Sequence, residues 1–215
     1  ISSRLNECIA VANIGEIMFK RGLDYKALEY YNRSFEIARE LKVPIGEGIY
    51  HLSTARMYIE NKMDGNVRKM LDAAFKIFTE AEEVLYLSDC YRNKALHEFM
   101  QGKIEAAIED CKKAAQIAQE IKSDIRRLKA LRLNARILAY MEQNESAFKL
   151  IDESIILSHQ LESDYEAAKG YIERLKLHRK LGNWDKARED LKRARECAGK
   201  FDSCKLKEII EGYEL

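Results

Sequence analysis

The sequence predicts an all-α fold, an α-solenoid of five helix–turn–helix repeats followed by a C-terminal capping helix. Three observations carry this. Ala27, Val67, Ala107, Ala147 and Ala187 stand 40 residues apart, with no insertion between them. The column seven residues on is small throughout (Ser34, Ala74, Ala114, Ser154, Ala194), and the column four on is mostly large and apolar (Tyr31, Leu71, Cys111, Ile151, Leu191). With one proline, Pro44, and ten glycines in 215 residues, little interrupts helix formation, so helices joined by short turns follow.

Each unit reads as two helices, at 4–20 and 23–41, 45–61 and 65–82, 86–100 and 103–121, 124–141 and 144–161, and 165–181 and 183–200. The repeats thus span 4–41, 45–82, 86–121, 124–161 and 165–200 of one domain covering 1–215. Turn-prone residues separate the two helices of a unit: Arg21-Gly22, Asp64-Gly65-Asn66, Gln101-Gly102, Gln143-Asn144 and Gly182-Asn183. Lys42-Val43-Pro44, Ser123-Asp124 and Ser163-Asp164 separate units. Ser123 and Ser163 are expected N-caps, each followed by an aspartate that suits the positive end of the helix dipole. Residues 203–215 repeat the apolar spacing at Leu206, Ile209, Ile210 and Tyr213, which suits a capping helix or the first helix of a further unit.

The small columns have a packing reason. Two helices joined by a tight turn pack antiparallel, and small side chains at the crossing let their backbones approach. One hairpin cannot bury its apolar face alone, so it stacks on the next, with first helices lining the concave surface. Twelve residues before the alanine column, Gly15, Ala55, Ala95 and Ala135 are small for the same reason, with Leu175 the large exception.

These columns, with the turn glycines Gly22, Gly102 and Gly182, resemble the tetratricopeptide repeat family over roughly residues 4–200. The early aromatic of the first helix is present as Tyr91 and Tyr171, and Val11, His51 and Leu131 stand in its place elsewhere. The unit is 40 residues rather than the usual 34 or so, and the closing proline is replaced by Arg39, Thr79, Gln119, His159 and Gly199. Both departures are similar to the long-helix repeats of cell-polarity adaptors, kinesin light chains and sensor regions of bacterial signalling ATPases. The resemblance implies a right-handed superhelix that holds peptides or partner proteins without catalysis. The family's carboxylate clamp is not reproduced, since Leu96 and Leu133 stand where asparagines are wanted and Glu173 where a second cation is wanted.

No chemistry-bearing constellation is present. Gly102-Lys103 precedes isoleucine and Gly199-Lys200 precedes phenylalanine, where a phosphate loop needs Ser or Thr. The four histidines are dispersed, and Cys90 with His97, though on one face, are too few for a metal site. No nucleophile, base and orienter can be assembled, so neither an enzyme, a metal nor a cofactor is expected. The five cysteines contain no C-x-x-C pair and read as reduced, buried hydrophobes of a cytoplasmic protein. No apolar run is long enough to span a membrane. The chain starts at Ile1 rather than methionine, which reads as part of a longer protein.

With 37 basic and 36 acidic residues, bulk charge disfavours nucleic acid as a partner. The charge is uneven, however. The first helix of unit four carries Arg126, Arg127, Lys129, Arg132 and Arg136 against Asp124, and that of unit five carries Lys169, Arg174, Lys176, Arg179 and Lys180 against Glu166 and Glu173. Lys129, Arg132 and Arg136 share a helix face. Lys169 and Lys176 hold matching columns in unit five, and Arg92 matches Arg132.

Two readings stand. These cations are solvated and paired with neighbouring acids, or Arg92, Lys129, Arg132, Arg136, Lys169 and Lys176 form a basic groove for an acidic peptide or helix of a partner protein. The groove reading expects the Arg132→Glu, Arg136→Glu double variant to lose binding with thermal stability nearly unchanged. Ile49 and Leu52, with Ile9, are expected to add an exposed apolar strip, while Phe19, Ile59 and Phe99 are assigned to the core. The alternative to a holding module is a regulatory or sensor region of a larger signalling protein, an ATPase, kinase or transcription regulator.

Overall fold

The computed structural model describes residues 2–63 and 65–213. Asp64 of the expected second turn and the last two residues of the expected capping segment lie outside them. Eleven α-helices, and no strand, occur among the described residues: α1 (Ser2–Arg21), α2 (Asp24–Leu41), α3 (Pro44–Glu60), α4 (Val67–Glu80), α5 (Val84–Met100), α6 (Ile104–Glu120), α7 (Asp124–Tyr140), α8 (Asn144–Gln160), α9 (Asp164–Lys180), α10 (Trp184–Gly199) and α11 (Cys204–Glu211). Consecutive pairs pack as hairpins and stack in order. The repeat columns are the core: Ala27, Ala107, Ala147 and Ala187 are fully buried, as are Ala74, Ala114, Ser154 and Ala194 in the second small column. Large and small residues are matched within a unit. A methyl group placed on Gly15 would stand 2.7 Å from the ring of Tyr31, the bulkiest member of its column.

Helix ends recur every 20 residues. Gly22, Lys42, Lys62, Glu82, Gly102, Lys122, Glu142, Glu162 and Gly182 all have positive φ, between 50° and 85°. At each, the following N–H turns back onto the helix, as in Val43 N–H to Ala38 O at 2.9 Å and Lys103 N–H to Glu98 O at 2.9 Å. This left-handed closure satisfies orphan carbonyls of the last turn. Only three of the nine positions are glycine, which is why the sequence shows only part of the pattern. Pro44 opens α3 at its first turn, where a missing N–H costs nothing. Ser163 caps α9 by accepting from Glu166 N–H, but Ser123 makes no such bond and instead accepts from Arg126 Nη1 at 3.4 Å.

The direction of curvature follows from which helices touch. α1 meets α3, α3 meets α5, α5 meets α7 and α7 meets α9, whereas the even-numbered helices of neighbouring repeats do not meet among the described residues. The array therefore bends with its odd helices inside. The bend brings the two ends together. α11 packs on α9 and α10 through buried Leu206 and Ile210, and it also touches α1. Ser203 caps α11 through Leu206 N–H at 3.2 Å and donates to Lys20 O of α1 at 2.6 Å. Arg21 pairs with Asp202, and Lys205 Nζ donates to Asn61 Oδ1 at 2.8 Å. The expected capping helix is thus a clasp between the last repeat and the first two.

Candidate functional site

The concave side encloses a cavity of about 320 Å³, lined from α1, α3, α5, α7, α9 and α11. Ten of the residues lining it are cationic and four are carboxylates, Glu16, Glu60, Glu166 and Glu173. The structure brings Arg92, Lys129, Arg132, Arg136, Lys169 and Lys176 together here. It does not bring Ile49 and Leu52. Leu52 is buried in the core with Leu71, Phe78 and Cys90, and Ile49 is half-buried against that core. Ile9 is exposed but does not line the cavity. The half of the channel read as apolar is instead charged, by Glu16 and Lys20 on α1 and Arg56 and Glu60 on α3. Phe19 and Ile59 are buried and edge the channel, and Phe99 is half-buried beneath Arg136.

The cations divide by what they touch. Arg56 pairs with Glu16, and Lys176 pairs with Glu173 at 2.7 Å. Arg132 is a second correction. It is buried, with Nη2 at 2.5 Å from Glu166 Oε2 and Nη1 at 3.3 Å from Glu166 O. It ties α7 to α9 rather than standing free, so its charge reversal cannot leave stability unchanged. Lys129 is left 3.7 Å from the same Glu166. Arg136 and Lys169 have no carboxylate within 4 Å among the described residues. Arg136 lies over the Phe99 ring and Lys169 over the Tyr165 ring. Outside the channel, Arg126 sits 2.8 Å from Asp89, Arg127 pairs with Glu153, and Arg174 bridges Asp152 and Asp190. That part of the basic stripe is paired structure.

Protonation reflects both burial and the charges around each group. Burial would raise the Glu166 carboxyl, but Arg132, Lys129 and Lys169 outweigh it and hold it well below the usual range. Burial is likewise overcome at Glu16, where Arg56 and Lys20 bring the pKa to about 2. Lys129 moves the other way. Burial, with Arg92 and Arg56 nearby, lowers it to about 8 despite Glu166. Withdrawal from water disfavours the charged ammonium, and here it outweighs the neighbouring carboxylate. Burial raises the Cys111 thiol to about 12, so it is a packing residue and a poor nucleophile. Four of the five cysteines are buried, but Cys204 is exposed. Among the described residues no cluster could hold a metal ion, and no helix is long and apolar enough to cross a membrane.

Sequence reading missed Glu16, Arg56, Lys205 and Ile209. The first two were legible. They share the 40-residue column of Arg136 and Lys176, and only the search for clusters within one helix hid them. The last two were not, because α11 lies outside the five units and has no column.

No sequence family and no curated protein matches the chain. Solved structures do. Aspartyl phosphate phosphatase F from Bacillus subtilis is similar at TM-score 0.68 and 18% identity, over 97% of this chain and 55% of that one. The fold is a tetratricopeptide-type solenoid. A second counterpart makes this explicit, a signal transduction ATPase with numerous domains from Pyrococcus horikoshii that has a tetratricopeptide repeat sensor. It is similar at TM-score 0.65 and 17% identity, over 97% of this chain and 30% of that one. At these identities the likeness concerns the fold, and the chain spans about half the length of the first protein and under a third of the second.

Proposed function

We propose that the chain is a non-catalytic binding module whose concave channel takes an acidic segment of a partner protein. The observation that carries this is the charge excess in the channel, with Arg136 and Lys169 lining it unpaired by any carboxylate among the described residues. Charged side chains facing a part-enclosed cavity interact more strongly than they would on open surface, and arginine accepts a carboxylate in a two-bond fork.

The test is fluorescence anisotropy with labelled decaglutamate. The wild-type protein binds it saturably at low salt, and decalysine does not bind. Arg136→Glu combined with Lys169→Glu weakens decaglutamate by more than about tenfold, since two attractive contacts become repulsive. Equal affinity of the two proteins, or no binding by the wild type, overturns the proposal.

A second reading has its own observation. α11 joins the first repeat to the last, so occupancy of the channel and closure of the ring share residues, Lys205 above all. Such a coupling suits a regulatory or sensor repeat region within a larger signalling protein, and the repeats of the similar ATPase are a sensor.

A further inference from the structure

Resting on the acidic-ligand reading of the channel, we infer that its central seat is built for a phosphate group, held by Arg92, Lys129, Arg136 and Lys169. These four come from three helices, α5, α7 and α9, and face one cavity. None of them donates a hydrogen bond to a carboxylate among the described residues. Arg92 is the most telling. Its side chain is 11% exposed, its Nε is buried with no acceptor, and its nearest acid, Asp89 at 3.7 Å, already lies 2.8 Å from Arg126. A buried guanidinium N–H without an acceptor carries a cost that a bound anion nearby would offset.

The channel's own acids do not complete the seat. Glu16, Glu166 and Glu173 are engaged by Arg56, Arg132 and Lys176. Glu60 pairs with no cation within 4 Å among the described residues. Its field reaches Lys169, Arg56, Lys205 and Arg92, so it reduces the excess without cancelling it.

The geometry favours phosphate over carboxylate. A carboxylate offers one charge and two oxygens in a plane. A phosphate monoester offers a charge of about −1.5 to −2 and three acceptor oxygens pointing apart, which suits cations converging from three helices. Two of the four are arginines, whose forks match phosphate oxygens pairwise. Tyr165 lines the same cavity and keeps its hydroxyl proton, because burial and the nearby Glu60 and Glu166 raise its pKa. It is therefore a further donor. The cavity of about 320 Å³ holds the phosphate and the residue that carries it, at the small end of ligand pockets. A dianion there would also restore the proton affinity that Lys129 has lost.

Two sources carry this chemistry, a phosphorylated side chain and a free phosphate compound. The experiment uses the full chain at pH 7.5. The probes are an alanine–glycine decapeptide with one central phosphoserine, its serine and aspartate counterparts, inorganic tripolyphosphate, and decaglutamate. The phosphoserine peptide should bind more than about tenfold tighter than the aspartate peptide, and its ³¹P resonance should shift on binding. Tripolyphosphate binding tighter than the phosphopeptide also supports the seat and assigns it to a free anion. Arg92→Met and, separately, Lys169→Met should abolish the preference for phosphate without lowering the melting temperature. Lys169, half-buried and outside any ion pair among the described residues, keeps the test open if the Arg92 variant misfolds. If phosphoserine and aspartate peptides bind equally and tripolyphosphate does not bind, while decaglutamate does, the phosphate inference is overturned and the acidic-ligand reading stands. If nothing binds, both fall.

Discussion

Arg132 and Arg136 lie one turn apart on α7, and the sequence gives no reason to separate them. The structure does. Arg132 is 8% exposed and locked to Glu166, whereas Arg136 is exposed over an aromatic ring. The partner that decides the matter lies 34 residues away in the next repeat, out of reach of any reading of one helix. Arg132→Met should therefore destabilise the protein by about 3–5 kcal/mol, because it strands a buried carboxylate. Arg136→Met should change stability by about 0.5 kcal/mol or less, as an exposed substitution. Urea denaturation of the two variants checks this contrast. The same carboxylates set the acid limit of the fold. Glu16 falls from an ordinary 4.5 to about 2, and Glu166 is depressed further. Groups with depressed folded pKa values stabilise the fold above the unfolded value, and that contribution is lost as pH falls toward the folded one. The melting temperature should fall steadily from pH 5 to pH 2.5, and Glu16→Gln should flatten the slope. A melting temperature independent of pH across that window would contradict the ion-pair assignment.

At the scale of elements, one column of glycines does two different things. Gly22, Gly102 and Gly182 all close their helices in the left-handed region, and the sequence marks all three alike. At Gly102 an added methyl meets nothing within 4 Å, so Gly102→Ala carries only the backbone penalty, about 1 kcal/mol. At Gly22 the methyl would stand 2.9 Å from both the backbone N and the Cβ of Lys205. Gly22→Ala should therefore cost more and should loosen α11 specifically. Hydrogen exchange would show it as faster exchange in α11 and the last turn of α1, with the middle repeats unchanged. Equal costs for the two alanines would mean that the clasp contributes nothing. The converse substitution, Glu142→Gly, relieves a left-handed position held by a residue with a side chain and should stabilise by up to about 1 kcal/mol.

The whole molecule is a repeat array whose ends are joined. The hairpins, their order and the small-residue crossings were legible because a 40-residue period writes each packing contact five times. The closure was not, because it is made once, by Ser203, Lys205 and Gly22, with no repeat to amplify it. Closure changes how a ligand is felt. In an open array each repeat responds mainly to its neighbours. Here the channel draws its cations from α1, α3, α5, α7, α9 and α11 at once, so an anion within it tightens both ends together. Decaglutamate at about 100 times its Kd should stabilise the protein by about 2.7 kcal/mol. The added protection from hydrogen exchange should reach α11 as well as α7 and α9. It should fade as salt rises from 0.05 to 0.5 M, since exposed charges such as Arg136 are screened over distances of about 10 Å already at 0.1 M. In Gly22→Ala the protection of α7 and α9 should persist while that of α11 is lost. Protection confined to α7 and α9 in the wild type would mean that the ligand ignores the clasp.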